Sequence, residues 1–268
     1  MTQDVATYLK EHGINPSKKL GQNFLINQDI CDKIVDNVDF DKTDCVVEIG
    51  PGLGALTQTL IGKSPYLITI ELDKRLYDYN KKTFNKIKNI EMINDDVLNV
   101  DFDALAEKYK TPVIVSNLPY AISSLVVIKF IKATRFKEMY VMLQKEMVER
   151  ILAKTKTKKY NNLTVLINQY ASVEKLLSIG RNNFYPIPAV DSIVIKLTRN
   201  KNTYEEKFDK FTKLCFAAKR RTLVNNLKNI IEKQDLIDFL KLHKLPIDVR
   251  AEWIDAATLH SLFIKCYN

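Results

Sequence analysis

Between residues 44 and 144 the chain repeats one pattern five times: a short, continuous run of apolar residues, with stretches of helical spacing set among the runs. The runs are DCVVEIG (44–50), YLITIELD (66–73), IEMIN (90–94), PVIVSN (112–117) and MYVMLQ (139–144). Helical segments are expected at 53–62, 74–86, 123–133 and 145–154. A strand exposed on one face alternates apolar and polar residues. Strands without alternation are covered on both faces, which is the condition of a parallel sheet with helices on either side. The pattern therefore predicts an α/β protein with a doubly wound parallel sheet. VDSIVIKL (190–197) reads as an added strand, antiparallel to LTVLINQYASV (163–173), with Pro186 and Pro188 marking the loop before it.

After residue 199 the character changes. RNKNTYEEK is polar and charged, and beyond it come only segments of helical period: FDKFTKLCFAAKR, TLVNNLKNIIEK, DLIDFLKLH and AATLHSLFIKCY. The expected organisation is an α/β domain over 1–199 and a small all-helical domain over 200–268. No apolar run approaches the length of a membrane span, and MTQDVATYLKEHG is not a signal peptide. Cys31, Cys45, Cys215 and Cys266 are scattered without a CxxC pair and only three histidines are present, so reduced thiols in a cytoplasmic protein are expected and no metal site. The net charge of +9 favours a polyanionic partner, nucleic acid before membrane, although lysines far outnumber arginines.

In an open α/β sheet, ligands bind beyond the carboxyl ends of the strands. Four such ends carry suitable residues. Gly50, Gly52 and Gly54 follow the first run and permit positive φ at a strand-to-helix turn, which needs no ligand to explain it. Glu71 lies 21 positions after Gly50, near the spacing at which an acid binds ribose hydroxyls. That pattern does not separate a nicotinamide cofactor from S-adenosylmethionine. Asp95 and Asp96 follow the third run, as acceptors for an adenine amine or as ordinary loop acids. Asn117, Leu118, Pro119 and Tyr120 follow the fourth: an acceptor amide, an outward carbonyl stiffened by proline, and an aromatic face, or else an Asn-initiated turn with a core tyrosine.

Taken together, EIGPGLGALT, IELD, NDDVL and NLPYAIS, preceded by KKLGQNFLIN (18–27) and followed by MLQKEMVERI (142–151), FYPIPAVDSIVIKL (184–197) and RAEWIDAATLHSLF (250–263), resemble the S-adenosylmethionine-dependent ribosomal RNA adenine dimethyltransferases over nearly the whole chain. The resemblance implies a Rossmann-like methyltransferase sheet over 1–199 and an RNA-binding helical domain over 200–268. It implies S-adenosylmethionine as cofactor, closed over by Asn23 and Leu25, with Gly50 against its methionine part, Glu71 on its ribose and Asp96 on its adenine. Asn117 touches both cofactor and target amine, and Tyr120 and Phe184 sandwich the target adenine. The RAEWIDAATLH and QKE segments favour the small-subunit branch: dimethylation of two adjacent adenosines in a hairpin loop near the 3' end of 16S rRNA, by a monomer working on the assembling small subunit. Large-subunit rRNA, as in the macrolide-resistance relatives, is the alternative substrate. A non-catalytic nucleic-acid-binding factor is the alternative class, and a nicotinamide dehydrogenase a third reading. Lys18–Lys19, Lys154–Lys159 and Lys219–Arg221 are candidate phosphate contacts. The sequence departs from the family at Ala121, where many relatives have Asn, and in a thinner proline run after Phe184.

Overall fold

The apolar runs become neighbouring strands, four of them buried from end to end or nearly so and the third, at the sheet edge, only half-buried. The computed structural model of the protein describes residues 7, 9, 15–17 and 21–267. Its strands are β1 (Phe24–Leu25), β2 (Cys45–Ile49), β3 (Leu67–Glu71), β4 (Ile90–Asn94), β5 (Pro112–Asn117), β6 (Glu138–Gln144), β7 (Ala171–Ile179), β8 (Phe184–Tyr185) and β9 (Ser192–Arg199). Seven of them form one sheet in the order β4-β3-β2-β5-β6-β9-β7, while β1 and β8 form a separate antiparallel pair. β2 lies parallel to both β3 and β5, with Val46 opposite Leu67 on one side and Val113 on the other. From β2 the sheet is wound outward through β3 and β4, and from β5 through β6, so the β2/β5 boundary is a topological switch point. This is a Rossmann-like arrangement. β9 runs antiparallel to β6, Ile195 facing Val141.

The chain divides into two compact units, Met1–Lys145 with Val173–Arg199, and Glu146–Ser172 with Asn200–Asn268. In the first, helices at Gln28–Val35 and Ala55–Ile61 place Ile34, Leu56 and Leu60 in one core with Val46, Leu67, Val113 and Tyr140. Val126, Phe130 and Ile131 of the helix Ser123–Lys132 are also buried, and Phe102 lies 5.6 Å from Phe136 between ring centres.

The second unit collects helices from two stretches of chain. The expected strand at 163–173 is instead a helix, Asn162–Tyr170, and β7 begins only at Ala171. Leu163 to Ile167 are all buried, so the segment has no amphipathic period, and a short run of that kind fits a buried helix as well as a strand. The deciding signal is local. The Asn161 side chain accepts from the Leu163 and Thr164 backbone N–H groups, and Thr164 Oγ1 accepts in return from the Asn161 N–H. This reciprocal cap starts a helix. Tyr170 then packs with Phe208 of the helix Glu206–Cys215, which also meets His260 and Phe263 of the helix Ala256–Tyr267. Of TLVNNLKNIIEK only Leu223–Asn226 is helical. The Asn226 side chain donates to the Cys215 and Ala218 carbonyls, holding this segment to the end of the preceding helix. Among the described residues no helix is long and apolar enough to cross a membrane.

Phe208→Ala removes a ring with no exposed surface and is expected to cost about 3–5 kcal/mol. Asn161→Ala, which removes only the cap, is expected to cost about 1 kcal/mol. The single tryptophan, Trp253, lies in this unit, so urea unfolding followed by its fluorescence measures both. Equal losses would contradict the packing described.

Candidate active site

The site grows from the ends of β2, β3, β4 and β5. After β2 the Gly50 N–H still donates to the Ile70 carbonyl at 2.8 Å, and the chain then turns through three glycines at positive φ, Gly50, Gly52 and Gly54. Gly54 is required by space as well as by φ. A side-chain carbon on Gly54 would lie 2.8 Å from Asn80 Oδ1 and from the Phe84 ring, and one on Gly50 would meet the Pro119 ring at 3.4 Å. At Gly50 that distance is ordinary contact, and it is the positive φ that favours glycine where the turn meets the loop after β5.

Glu71 closes β3 with 7% of its surface exposed. Its Oε2 accepts from the Gly52 N–H at 3.2 Å and its Oε1 from the Asp73 N–H at 2.8 Å. Burial pushes its carboxyl above the usual range, opposed by those N–H donors. A carboxylate has about four lone-pair positions, so ligand hydroxyls still find acceptors there. After β4, Asp95 Oδ1 accepts from the Asp96 N–H, and Asp96 Oδ1 from the Leu98 N–H at 2.9 Å. Both acids line the same cavity as Glu71, Gly50 and Asn117. One oxygen of each shapes the loop, as the plainer reading of a loop acid requires.

At the end of β5, Ser116 Oγ donates to the Ile49 carbonyl at 2.5 Å, fixing this strand end beside the glycine turn. Asn117 follows, half-buried, its Nδ2 donating to the Asn23 carbonyl at 3.4 Å. With the amide nitrogen turned toward Asn23, Oδ1 is left to accept from elsewhere. Leu118 is buried and Pro119 half-buried. The Tyr120 hydroxyl lies 3.0 Å from Ser192 Oγ, and the Ser123 hydroxyl donates to its carbonyl. Tyr120, half-buried, lines the cavity.

Gly21 to Leu25 form a further wall. The Gln22 Nε2 donates to Asp73 Oδ2 at 3.1 Å, while Asp73 also receives Nε and Nη2 of Arg75, which hold its carboxyl below the usual range. Asn23 and Leu25 both line the cavity. Lys18 and Lys19 lie outside the described residues, whereas Lys154, Lys156, Lys158, Lys159, Lys219, Arg220 and Arg221 are exposed.

The structure thus brings Asn23, Leu25, Gly50, Glu71, Asp96, Asn117, Leu118, Pro119 and Tyr120 to one crevice. It does not bring Phe184, and the expected pairing of that ring with Tyr120 is corrected. Phe184 is 1% exposed and packed in the core with Leu25, Ile34 and Val194. Its register opposite Leu25 in the β1–β8 pair turns it inward, and its neighbour Tyr185 is the exposed one.

Glu48 is the residue sequence reasoning passed over. It lies in β2, 1% exposed, and its Oε2 accepts from Thr57 Oγ1 at 2.7 Å. Burial, with the Glu71 charge adding to it, pushes its carboxyl up to about 8 against the hydrogen bond from Thr57. The signal was an acid inside an apolar run.

A family model described as "Ribosomal RNA adenine dimethylase" matches residues 13–266. The ribosomal RNA small subunit methyltransferase A of Ureaplasma parvum serovar 3 is 42% identical, the match covering 97% of this chain and 95% of the relative. The protein of the same name from Malacoplasma penetrans is also 42% identical, over 98% and 95%. Among solved structures, a dimethyladenosine transferase from Plasmodium falciparum superposes with a TM-score of 0.77 at 28% identity, over 90% of this chain and 96% of the other. The 23S rRNA methyltransferase ErmE, at 22% identity and a TM-score of 0.69, shares the fold over 91% and 100%.

A glutamate whose folded pKa lies above its unfolded value stabilises the fold in its protonated form. That contribution is complete below the ordinary range near 4.5 and is lost as pH rises through 8. Stability from urea melts is therefore expected to fall across this window, by up to about 1.4 kcal/mol per pH unit. The slope should flatten in Glu48→Gln. Equal slopes in the two proteins would show that Glu48 is ionised throughout.

Proposed function

The chain belongs to the ribosomal RNA adenine dimethylase family, and on that footing we propose that it dimethylates the exocyclic amines of two adjacent adenosines in a hairpin loop near the 3' end of 16S rRNA. It is an S-adenosylmethionine-dependent methyltransferase, and its near-full-length relatives that carry small-subunit names support that subunit over the large one. It acts as a cytoplasmic monomer on the assembling small subunit. The observation that carries the reading is the meeting, at the β2/β5 switch point, of the Asn117–Tyr120 loop with the cavity of Glu71 and Asp96.

The residues present suit S-adenosylmethionine. Gly50, at positive φ and without a side chain, leaves its backbone open for the methionine part to approach. Glu71 keeps acceptor capacity for ribose hydroxyls, Asp96 is the acid for the adenine amine, and Asn23 and Leu25 cover the crevice from the N-terminal side. When bound, the cofactor supplies an electrophilic methyl on a positively charged sulfur.

The protein's own part is orientation. An adenine amine is a weak nucleophile because its lone pair is shared with the ring. Asn117 Oδ1 and the Leu118 carbonyl accept its two N–H bonds, which favours a pyramidal nitrogen and directs the lone pair. Fixed dipoles and position, rather than a strong base, lower the barrier. The methylated nitrogen is cationic and acidic, so water takes its proton. The Tyr120 face holds the base, and stacking of this kind is worth about 1–3 kcal/mol. A target adenine must leave its stack to reach such a site, which is easiest in an unpaired loop. The helices of 200–268 supply the RNA-binding surface, with the exposed Lys219–Arg221 among its phosphate contacts and Lys154–Lys159 a further set.

Asn117→Ala is expected to lower methyl transfer to small-subunit rRNA by about 10²–10³-fold, the range for loss of a fixed transition-state dipole. Cofactor affinity should fall far less. Mass spectrometry of the rRNA product and equilibrium binding measure the two. Full activity in the variant would remove the amine grip, and a parent inactive on both subunits would favour a binding factor.

A further inference from the structure

The crevice is oddly charged for a protein of net charge +9. Four carboxylates line it, Glu48, Glu71, Asp95 and Asp96, and among its described lining residues there is no lysine, arginine or histidine. Three of the four have compensation: Glu71 has two backbone N–H donors, and Asp95 and Asp96 each cap a turn and are less buried. Glu48 has the Thr57 hydroxyl and is fully buried. Packed around it are the helix Gln28–Val35, which brings the Cys31 thiol, itself pushed up to about 12 and so neutral, and β3, which brings Glu71. Asp32 is the other charge acting on Cys31, and Asp73 acts on Glu71. The groups acting on Glu48, Cys31 and Glu71 are acidic, and the cation nearest in this network, Arg75, is paired with Asp73. A carboxylate so placed ionises only at high cost unless a cation joins it.

From this placement we infer that Glu48 is the residue by which the crevice distinguishes the cationic cofactor from its neutral product, by giving up its proton when the positively charged cofactor binds in the crevice. The inference rests on the crevice being the S-adenosylmethionine site. The cofactor carries a sulfonium and a net charge of +1, whereas S-adenosylhomocysteine is a thioether of net charge zero. The proton leaves Glu48 for the solvent and the sulfonium stays as its counter-charge, so charge balances without any further group. When the methyl has gone, the sulfonium charge has gone with it. Glu48 then takes back a proton, and the product loses the attraction that held the cofactor. Linkage makes the effect reciprocal: whatever favours the ionised acid favours the cation.

The test is calorimetric titration of the full chain with S-adenosylmethionine and, separately, S-adenosylhomocysteine at pH 7, in two buffers of different ionisation heat. The expected result is release of nearly one proton per S-adenosylmethionine and almost none for the product. The preference for cofactor over product should rise with pH, by up to about tenfold per unit between pH 6 and 8, and level off above. Glu48→Gln, which keeps size and an acceptor for Thr57, should lose both the release and the slope while subtracting any titration of the ligand's own amine. Equal proton release for the two ligands, or none, overturns the inference. Release that persists in the variant assigns it to Glu71 and overturns it too. Should the variant fail to fold, the carboxyl carbon resonances of the glutamate-labelled parent decide: one must change from protonated to ionised with the cofactor and not with the product. If the folded parent binds neither ligand, it is the cofactor reading that fails.

Discussion

A single hydrogen bond, from the Ser116 hydroxyl to the Ile49 carbonyl, ties the two strand ends on which the whole site is built. β2 and β5 are adjacent and parallel, yet the chain leaves them in opposite directions across the sheet. That divergence opens a crevice which no connecting segment fills. The glycine turn after β2 and the Asn-Leu-Pro-Tyr loop after β5 then stand as its two lips. The Pro119 ring of one lip lies close to Gly50 of the other.

Within this frame the polar groups do not act one at a time. Glu71 binds backbone N–H groups of both the Gly52 turn and Asp73, and Asp73 in turn receives Gln22 of the wall at 21–25. That wall presents the Asn23 carbonyl to Asn117. A continuous chain of contacts therefore runs from the β3 end to the β5 end. It fixes which way the Asn117 amide faces, a choice that strand geometry alone leaves open.

Much of this was legible in the residues and some was not, for physical reasons. Unbroken apolar runs revealed the sheet because burial on both faces leaves no alternation to misread. The places of the glycine turn, Glu71 and the Asn117 loop in the crevice were legible because strand-end position and spacing constrain them, whereas at Asp95 and Asp96 no local signal separates a loop acid from a ligand acid, and both cap the loop. The segment 163–173 was misread because a helix buried all round has the same apolar signature as a strand, and only the Asn161–Thr164 cap distinguished them. Phe184 was misplaced because motif position does not state which face of a two-residue strand looks inward; that depends on its register with Leu25. Glu48 went unnoticed because its significance lies in what surrounds it in space, and the charge that acts on it, Glu71, is on another strand.

The second unit is discontinuous in sequence, entered at Glu146, left at Ser172 and re-entered at Asn200. Tyr170 of the early stretch shares its core with Phe208 of the late one. The segment from residue 200 onward is therefore not a cassette that evolution or a cloning primer can lift out whole. A graft onto another scaffold would have to carry a second, internal piece along with it. Recombination between relatives should find tolerated breakpoints where both pieces travel together, not at the apparent linker.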